Sequence, residues 1–316
     1  MRAITVRAYG GADAARVEDC PVPVAGPGEV QVHVVASSLN PLDYKARTGE
    51  LRFVMRARLP KVLGGDFSGT ISALGPGVTG FAVGDEVFGC VDEFTDGRGS
   101  HAEFCVVPVT ALSRKPASVT HEQAASLTMA GLTAWQALTR HAPLQAGQRM
   151  LVLGGSGGMG SVAIQIGKAC GAHVTATASA ANERVLRQLG ADACVDYGTT
   201  DYATLSERFD VVFDCASTSS YFHARRVLAK GGTYLTALPG PGAILGMLFA
   251  PLFGHRVKML VVKYLGADGE ALAKLVSDGK VKPMLSRSLT LDEVPAALEA
   301  MRAGQRVAGK QVVKIR

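Results

Sequence analysis

Through Gly28–Ser37 apolar and polar residues alternate with a period of two, as in a strand with one buried face. Val62–Gly75 and Phe81–Cys90 repeat short apolar runs broken by glycine. Residues 1 to 115 are rich in Val, Gly and Pro and predict a small antiparallel barrel or sandwich. The texture changes near Pro116. His121–Leu138 has a helical pattern, with Thr120 as its expected cap. An apolar strand at Met150–Gly154 then leads into a helix ending near Ala169. A strand at His173–Thr177 leads into a helix at Asn182–Leu189, and further strands are expected at Ala193–Tyr197, Asp210–Ala216 and Thr233–Ala237. Arg256–Tyr264 is expected as a last strand. Alternating strands and helices imply a right-handed, doubly wound parallel sheet with covered faces. Near the end, Leu289–Ala303 predicts a helix, and Gly309–Arg316 predicts a closing strand that returns to the first domain.

The longest apolar run, Ala243–Phe253, is too short to span a bilayer, so no transmembrane segment is expected. It predicts a buried helix, and lining a substrate cavity or resting on a membrane surface stay open as alternatives. The chain has 316 residues, enough for about two domains. With 47% hydrophobic and 19% charged residues it is globular. A formal charge of +6 without a dense basic run argues against a nucleic-acid arm and suits an anionic ligand. The six cysteines are scattered with no C-x-x-C pair, as in a reduced cytoplasmic chain. The opening residues, Met1–Gly10, carry no long apolar run, so no secretory signal is expected.

The chemistry concentrates where the strand at Met150–Gly154 meets its helix. Gly155, Gly157 and Gly160 satisfy G-x-G-x-x-G, and Gly158 is one more small residue. The first N–H groups of a helix lack partners and sit at its positive end, so Ser156, Gly157, Gly158, Met159 and Gly160 are expected to hold a diphosphate. Sites for NAD end the second strand with an acidic residue that accepts from the ribose. Here that strand ends with Thr177 and Ser179 and has no carboxylate, with Asn182 and Arg184 just beyond. This favours NADPH, because a carboxylate would repel its 2′-phosphate. Tyr197 is placed to lie against an adenine ring. Cys215 and Ala216, then Leu238 and Pro239, end later strands and are expected to wall the cofactor. Cys215 is read as a small apolar wall rather than a nucleophile.

Several segments carry a resemblance: 38–45 with its Asn-Pro-x-Asp, 63–69, 84–89, 124–127, 131–135 and 189–192, together with the glycine turn. On these the chain resembles the zinc-independent quinone oxidoreductase branch of the medium-chain dehydrogenase/reductase superfamily, over nearly its whole length. The resemblance implies an α/β fold: a GroES-like β-barrel domain from residues 1–116 and 268–316, and a Rossmann domain from 117–267. It also implies NADPH as cofactor and hydride transfer to quinones or to α,β-unsaturated carbonyls such as enones and alkenals. Catalytic roles fall to Asn40, holding the substrate carbonyl or the nicotinamide side, to Lys45, stabilising an oxyanion, and to Tyr44 as a donor. Thr133 corresponds to a residue that touches the nicotinamide amide. Zinc-dependent members carry Cys and His-Glu ligands; here Asn40, Gly65 and Asp66 stand in those places, so no metal is expected. Relatives often end with His-Ala-Arg-Gly-Lys. This chain has Ala308 in place of the Arg within Arg306–Lys310, which leaves Arg306 as the expected substitute. Two other functions remain: a zinc-free alcohol or ketone dehydrogenase, and a non-catalytic NADPH-binding sensor or RNA-binding module. The expected partner is a small-molecule substrate, with a homodimer through Arg256–Tyr264 if that strand lies at an edge.

Overall fold

The computed structural model describes residues 1–52, 59–92, 97–237 and 241–316. Two compact units emerge: Met1–Met129 with Tyr264–Ser277 and Pro283–Arg316, and Ala130–Lys263 with Asp278–Lys282. The expected boundary after residue 116 lies instead between Met129 and Ala130, inside a helix. That helix is tied to the first unit, because the Met129 N–H donates to Asp66 Oδ1 at 2.7 Å.

The first unit opens with β1 (Arg2–Val6), β2 (Ala15–Asp19) and β3 (Glu29–Ser38), then α1 (Pro41–Thr48) and β4 (Lys61–Val62). β5 (Asp66–Leu74), β6 (Glu86–Cys90), β7 (Phe104–Pro108), β8 (Leu112–Arg114) and α2 (His121–Gln136) follow. β3 alternates buried and half-buried residues, as its sequence pattern predicts. One edge of β3 pairs antiparallel with β5, and two register shifts bend that ladder. Its other edge pairs with β7 through Glu29–His33 and with β16 (Lys310–Lys314) through Ala36–Ser38. The closing strand therefore does return to the first unit. Val30, Val32, Val34, Phe67, Ile71 and Val87 fill the core beneath.

The second unit holds a six-stranded parallel sheet. Its elements are β9 (Arg149–Leu153), α3 (Gly158–Ala169), β10 (His173–Ala178), α4 (Glu183–Gln188), β11 (Ala193–Asp196), β12 (Phe209–Asp214), α5 (Tyr221–Ala224), β13 (Leu228–Thr236), α6 (Pro241–Phe249) and β14 (Arg256–Met259). The strand order β11-β10-β9-β12-β13-β14 reverses direction at β9, the switch point where ligands bind in such sheets.

Three expectations need correction. The strand foreseen at Arg256–Tyr264 stops at Met259, where its partner β13 ends in register at Thr236. The apolar run Ala243–Phe253 is a helix followed by a 3-10 turn, but most of its large side chains are exposed. The helix foreseen at Leu289–Ala303 starts later. Leu285–Leu289 is a strand, β15, and Thr290 begins a new element by donating its N–H to Glu293 Oε2 at 2.7 Å. After a 3-10 turn, α8 (Val294–Arg302) follows; α7 (Gly266–Ser277) precedes β15. No helix among the described residues is long and apolar enough to cross a membrane.

Candidate active site

In the second unit the chain leaves β9 through Gly154, whose φ of 77° favours glycine. Thr177 braces this bend from β10: its carbonyl accepts from Gly155 N at 2.8 Å and its Oγ1 from Gly154 N at 3.1 Å. Gly157 is the N-cap of α3. Gly158, Met159 and Gly160 form the first helical turn, where N–H groups have no acceptor within the helix. A Cβ on Gly160 would lie 2.2 Å from the Gly154 carbonyl oxygen, so only glycine permits so tight a bend. Ser156 is half-buried on the turn.

At the end of β10, Asn182 Nδ2 donates to Ser179 Oγ at 3.2 Å, closing a small polar loop. Arg184 is exposed beside it and borders a shallow depression with Ala180, Glu183, Arg187 and Gln188. Tyr197 is exposed just past β11. Thr177 supports the turn itself, a job more structural than the ligand contact expected of it. Thr133 is buried on α2.

Beyond β12 the chain turns through Cys215, Ala216 and Ser217, the last with φ 51°. Asp214 holds this turn: its carboxylate accepts from Ser219 N at 2.9 Å and from the Tyr234 hydroxyl at 2.9 Å. Burial and the neighbouring Asp214 push the Cys215 thiol well above its usual range, which suits a wall and not a nucleophile. The Ala216 Cβ lies where a side chain on Gly154 would collide, so the two turns are in contact. Leu238 and Pro239 lie outside the described residues.

In the first unit Asn40 caps α1, with Pro41 first in the helix. Asp43 reaches back to accept from the Asn40 N–H at 2.6 Å, and its Oδ2 lies 3.5 Å from His101 Nε2. The Asn40 amide is spent within the unit. Its Nδ2 donates to Asp66 Oδ2 at 2.8 Å and its Oδ1 accepts from Lys310 Nζ at 2.6 Å. Lys310 also donates to the Leu39 carbonyl at 2.9 Å and to Asp66 Oδ2 at 3.1 Å. Ser38 Oγ and Cys90 Sγ add further donors to the Asp66 carboxylate. Burial alone would raise Asp66. The Lys310 ammonium and hydrogen bonds from Ser38, Thr128 and Asn40 outweigh it and hold the carboxyl below the usual carboxylate range.

The remaining expected residues sit elsewhere in this unit. Tyr44 is half-buried against Leu298 and its neighbours in the core beneath α1, and burial raises its hydroxyl pKa. Lys45 is half-buried one residue further on. Arg306 is exposed in the link between α8 and β16.

Lys310, Asp66, Ser38 and Cys90 were not foreseen as one cluster. A signal did exist: Asn40 and Asp66 both stand in zinc-ligand places, so whatever replaced the ion had to meet them both. The residues present do not fit zinc. Tetrahedral zinc needs several Cys, His or carboxylate donors converging, and here an ammonium lies among one carboxylate and one amide. Among the described residues no group of three His, Cys, Asp or Glu could hold a metal. The glycine turn does fit a dinucleotide, since it combines a close-packed bend with a helix N-terminus.

Comparison with known proteins agrees with this geometry. Residues 26–117 match the alcohol dehydrogenase GroES-like domain, and residues 189–313 match the family described as zinc-binding dehydrogenase. The mitochondrial NAD(P)H oxidoreductase RTN4IP1 of Mus musculus is 34% identical, covering 92% of this chain and 82% of that protein. The 2-methylene-furan-3-one reductase of Solanum lycopersicum is 33% identical, covering 99% and 79%. A solved quinone oxidoreductase from Coxiella burnetii superimposes with a TM-score of 0.91 at 33% identity, covering 100% and 99%. The chain belongs to the medium-chain dehydrogenase/reductase superfamily, in its quinone oxidoreductase-like branch. It joins a GroES-like β domain to a Rossmann domain and is an oxidoreductase using a nicotinamide cofactor.

Proposed function

We propose that this protein is an NADPH-dependent reductase of quinones and α,β-unsaturated carbonyl compounds. The observation that carries the reading is the Lys310 ammonium held by Asn40 and Asp66. With residues that do not fit zinc, an unactivated ketone is a harder substrate than a conjugated acceptor. A conjugated acceptor needs only a hydrogen bond or one cation at the oxygen that gains charge.

When bound, the reduced nicotinamide supplies the hydride. The chain's own work is to bind and align. Backbone amides at Ser156–Gly160 hold the diphosphate. Ser179, Asn182 and Arg184, with no carboxylate at the end of β10, admit a 2′-phosphate. Lys45 is half-buried on α1, and in this reading its charge steadies the developing enolate oxygen. The last proton comes from water, because Tyr44 packs into the core beneath α1. Asn40 becomes a positioning residue that fixes the start of α1 through Asp66 and Lys310. The six free cysteines support a reducing, cytoplasmic setting.

The test is a steady-state assay with NADPH and NADH against a quinone, an enone and a simple alcohol. Reduction of the conjugated acceptors with NADPH is expected. Oxidation of the alcohol without enone reduction overturns the reading.

A further inference from the structure

We propose that the outward face of α6 and the 3-10 turn after it is a docking surface for an anionic lipid bilayer. The helix reverses the usual arrangement. Its buried positions are small, Ala243, Gly246 and Ala250, spaced to form one stripe. A Cβ on Gly246 would meet Tyr221 Cβ at 2.7 Å, so the helix backbone lies against α5. The large apolar side chains point outward instead: Ile244 and Leu245, Leu248 at 71% exposure, Phe249, then Leu252 at 78%. Phe222 and Phe253 extend the patch. A surface helix of a globular protein places polar residues on this face, and an exposed apolar patch of this kind marks an interaction site.

Charge selects the occupant. Between Asp214 and Asp268 the sequence contains Arg225, Arg226, Lys230, Arg256, Lys258 and Lys263 and no Asp or Glu. All of these basic residues are exposed. Arg225 lies 4.5 Å over the Phe253 ring. Lys230 and Arg256 join the turn beside it, since Gly231 N donates to the Gly254 carbonyl and Arg256 Nη2 to the Gly231 carbonyl. Among the described residues two carboxylates meet this stretch: Asp201 is paired with His223 Nε2 at 2.8 Å, and Asp214 is fully buried, accepting from Ser219 N and the Tyr234 hydroxyl. A second copy would bring an identical positive rim against this one. Anionic headgroups neutralise the rim while the acyl boundary takes the leucines, the arrangement of an interfacial amphipathic helix.

Vesicle flotation of the full chain tests this directly. Vesicles of phosphatidylcholine with phosphatidylglycerol are expected to carry the protein, vesicles of phosphatidylcholine alone much less, and added salt to weaken the binding. The pair Leu248→Gln and Leu252→Gln is expected to cut binding on the order of tenfold per leucine. Arg225→Gln with Arg226→Gln leaves the apolar face whole, and is expected to abolish the preference for anionic vesicles while the thermal melt stays put. Absent flotation with anionic vesicles overturns the proposal, as does flotation indifferent to both variant pairs. A lipid-free dimer dissociated by the leucine pair, seen by sedimentation, assigns the face to a second copy and also overturns it.

Discussion

Lys310 and Asp66 lie 244 positions apart, yet the ammonium meets the carboxylate at 3.1 Å in the interior of the first unit. Neither group is stable there alone. Asp66 is fully buried and Lys310 nearly so, and a lone charge in such a place costs several kcal/mol. Lys310→Met is expected to lose about 3–5 kcal/mol of stability. Pairing it with Asp66→Leu is expected to recover most of that loss, because the stranded charge goes too. Denaturant titration of the single and double variants checks both statements, and equal losses in the two would show that the pair is not coupled.

The same carboxylate sets an acid limit. Its folded pKa lies below that of an unfolded Asp, near 3.9, so its contribution to stability is complete above that value. The contribution fades as pH falls through the folded pKa. Melting temperature followed down through this window is expected to drop more steeply for the natural chain than for Asp66→Asn. Parallel curves would remove Asp66 from the account of acid unfolding.

Gly160→Ala tests the bend. A methyl group 2.2 Å from the Gly154 carbonyl oxygen forces the helix start away from β9, a cost of at least about 1–3 kcal/mol. Nicotinamide fluorescence enhancement is expected to vanish at coenzyme concentrations that saturate the natural chain. Retained binding would mean that the diphosphate sits elsewhere.

Arg184→Glu places a carboxylate beside Ser179 and Asn182. Affinity for NADPH is expected to fall on the order of tenfold while affinity for NADH holds or improves. Titration with each coenzyme separately measures the ratio, and an unchanged ratio would take Arg184 out of the 2′-phosphate site.

Lys45→Met separates chemistry from folding. Among the described residues the Lys45 ammonium has no ion-pair partner to lose, so the melt is expected to stay within about 0.5 kcal/mol of the natural chain. The value of kcat/KM on a quinone and an enone is expected to fall about 100-fold. Unaltered turnover on both acceptors would assign the developing charge to another group.

Local signals were the legible ones. The glycine turn announces itself because bend, strand and helix are neighbours in sequence, and the alternation in β3 maps directly onto its buried face. Lys310 closes the Arg306–Lys310 segment that the resemblance marks, but its pairing with Asn40 and Asp66 was not legible because those partners are remote in sequence. β15 was missed because Ser286, Arg287 and Ser288 are polar and exposed, so no apolar period marks it. Ala243–Phe253 was misjudged for the opposite reason. Unbroken apolar composition reports that a helix avoids water without reporting whether protein or something else provides the shelter.

The position of β16 fixes an order of events during synthesis. All strands of the second unit's sheet, from Arg149 to Met259, are contiguous in the chain, so that sheet can close while later residues are still on the ribosome. β3 waits for Lys310–Lys314 to reach its open edge, and the buried charge on Asp66 has no counterion until then. The nascent first unit therefore keeps the Ala36–Ser38 edge of β3 unpaired until residue 314 has been made, and a chaperone that shields this edge would act at the point of greatest need.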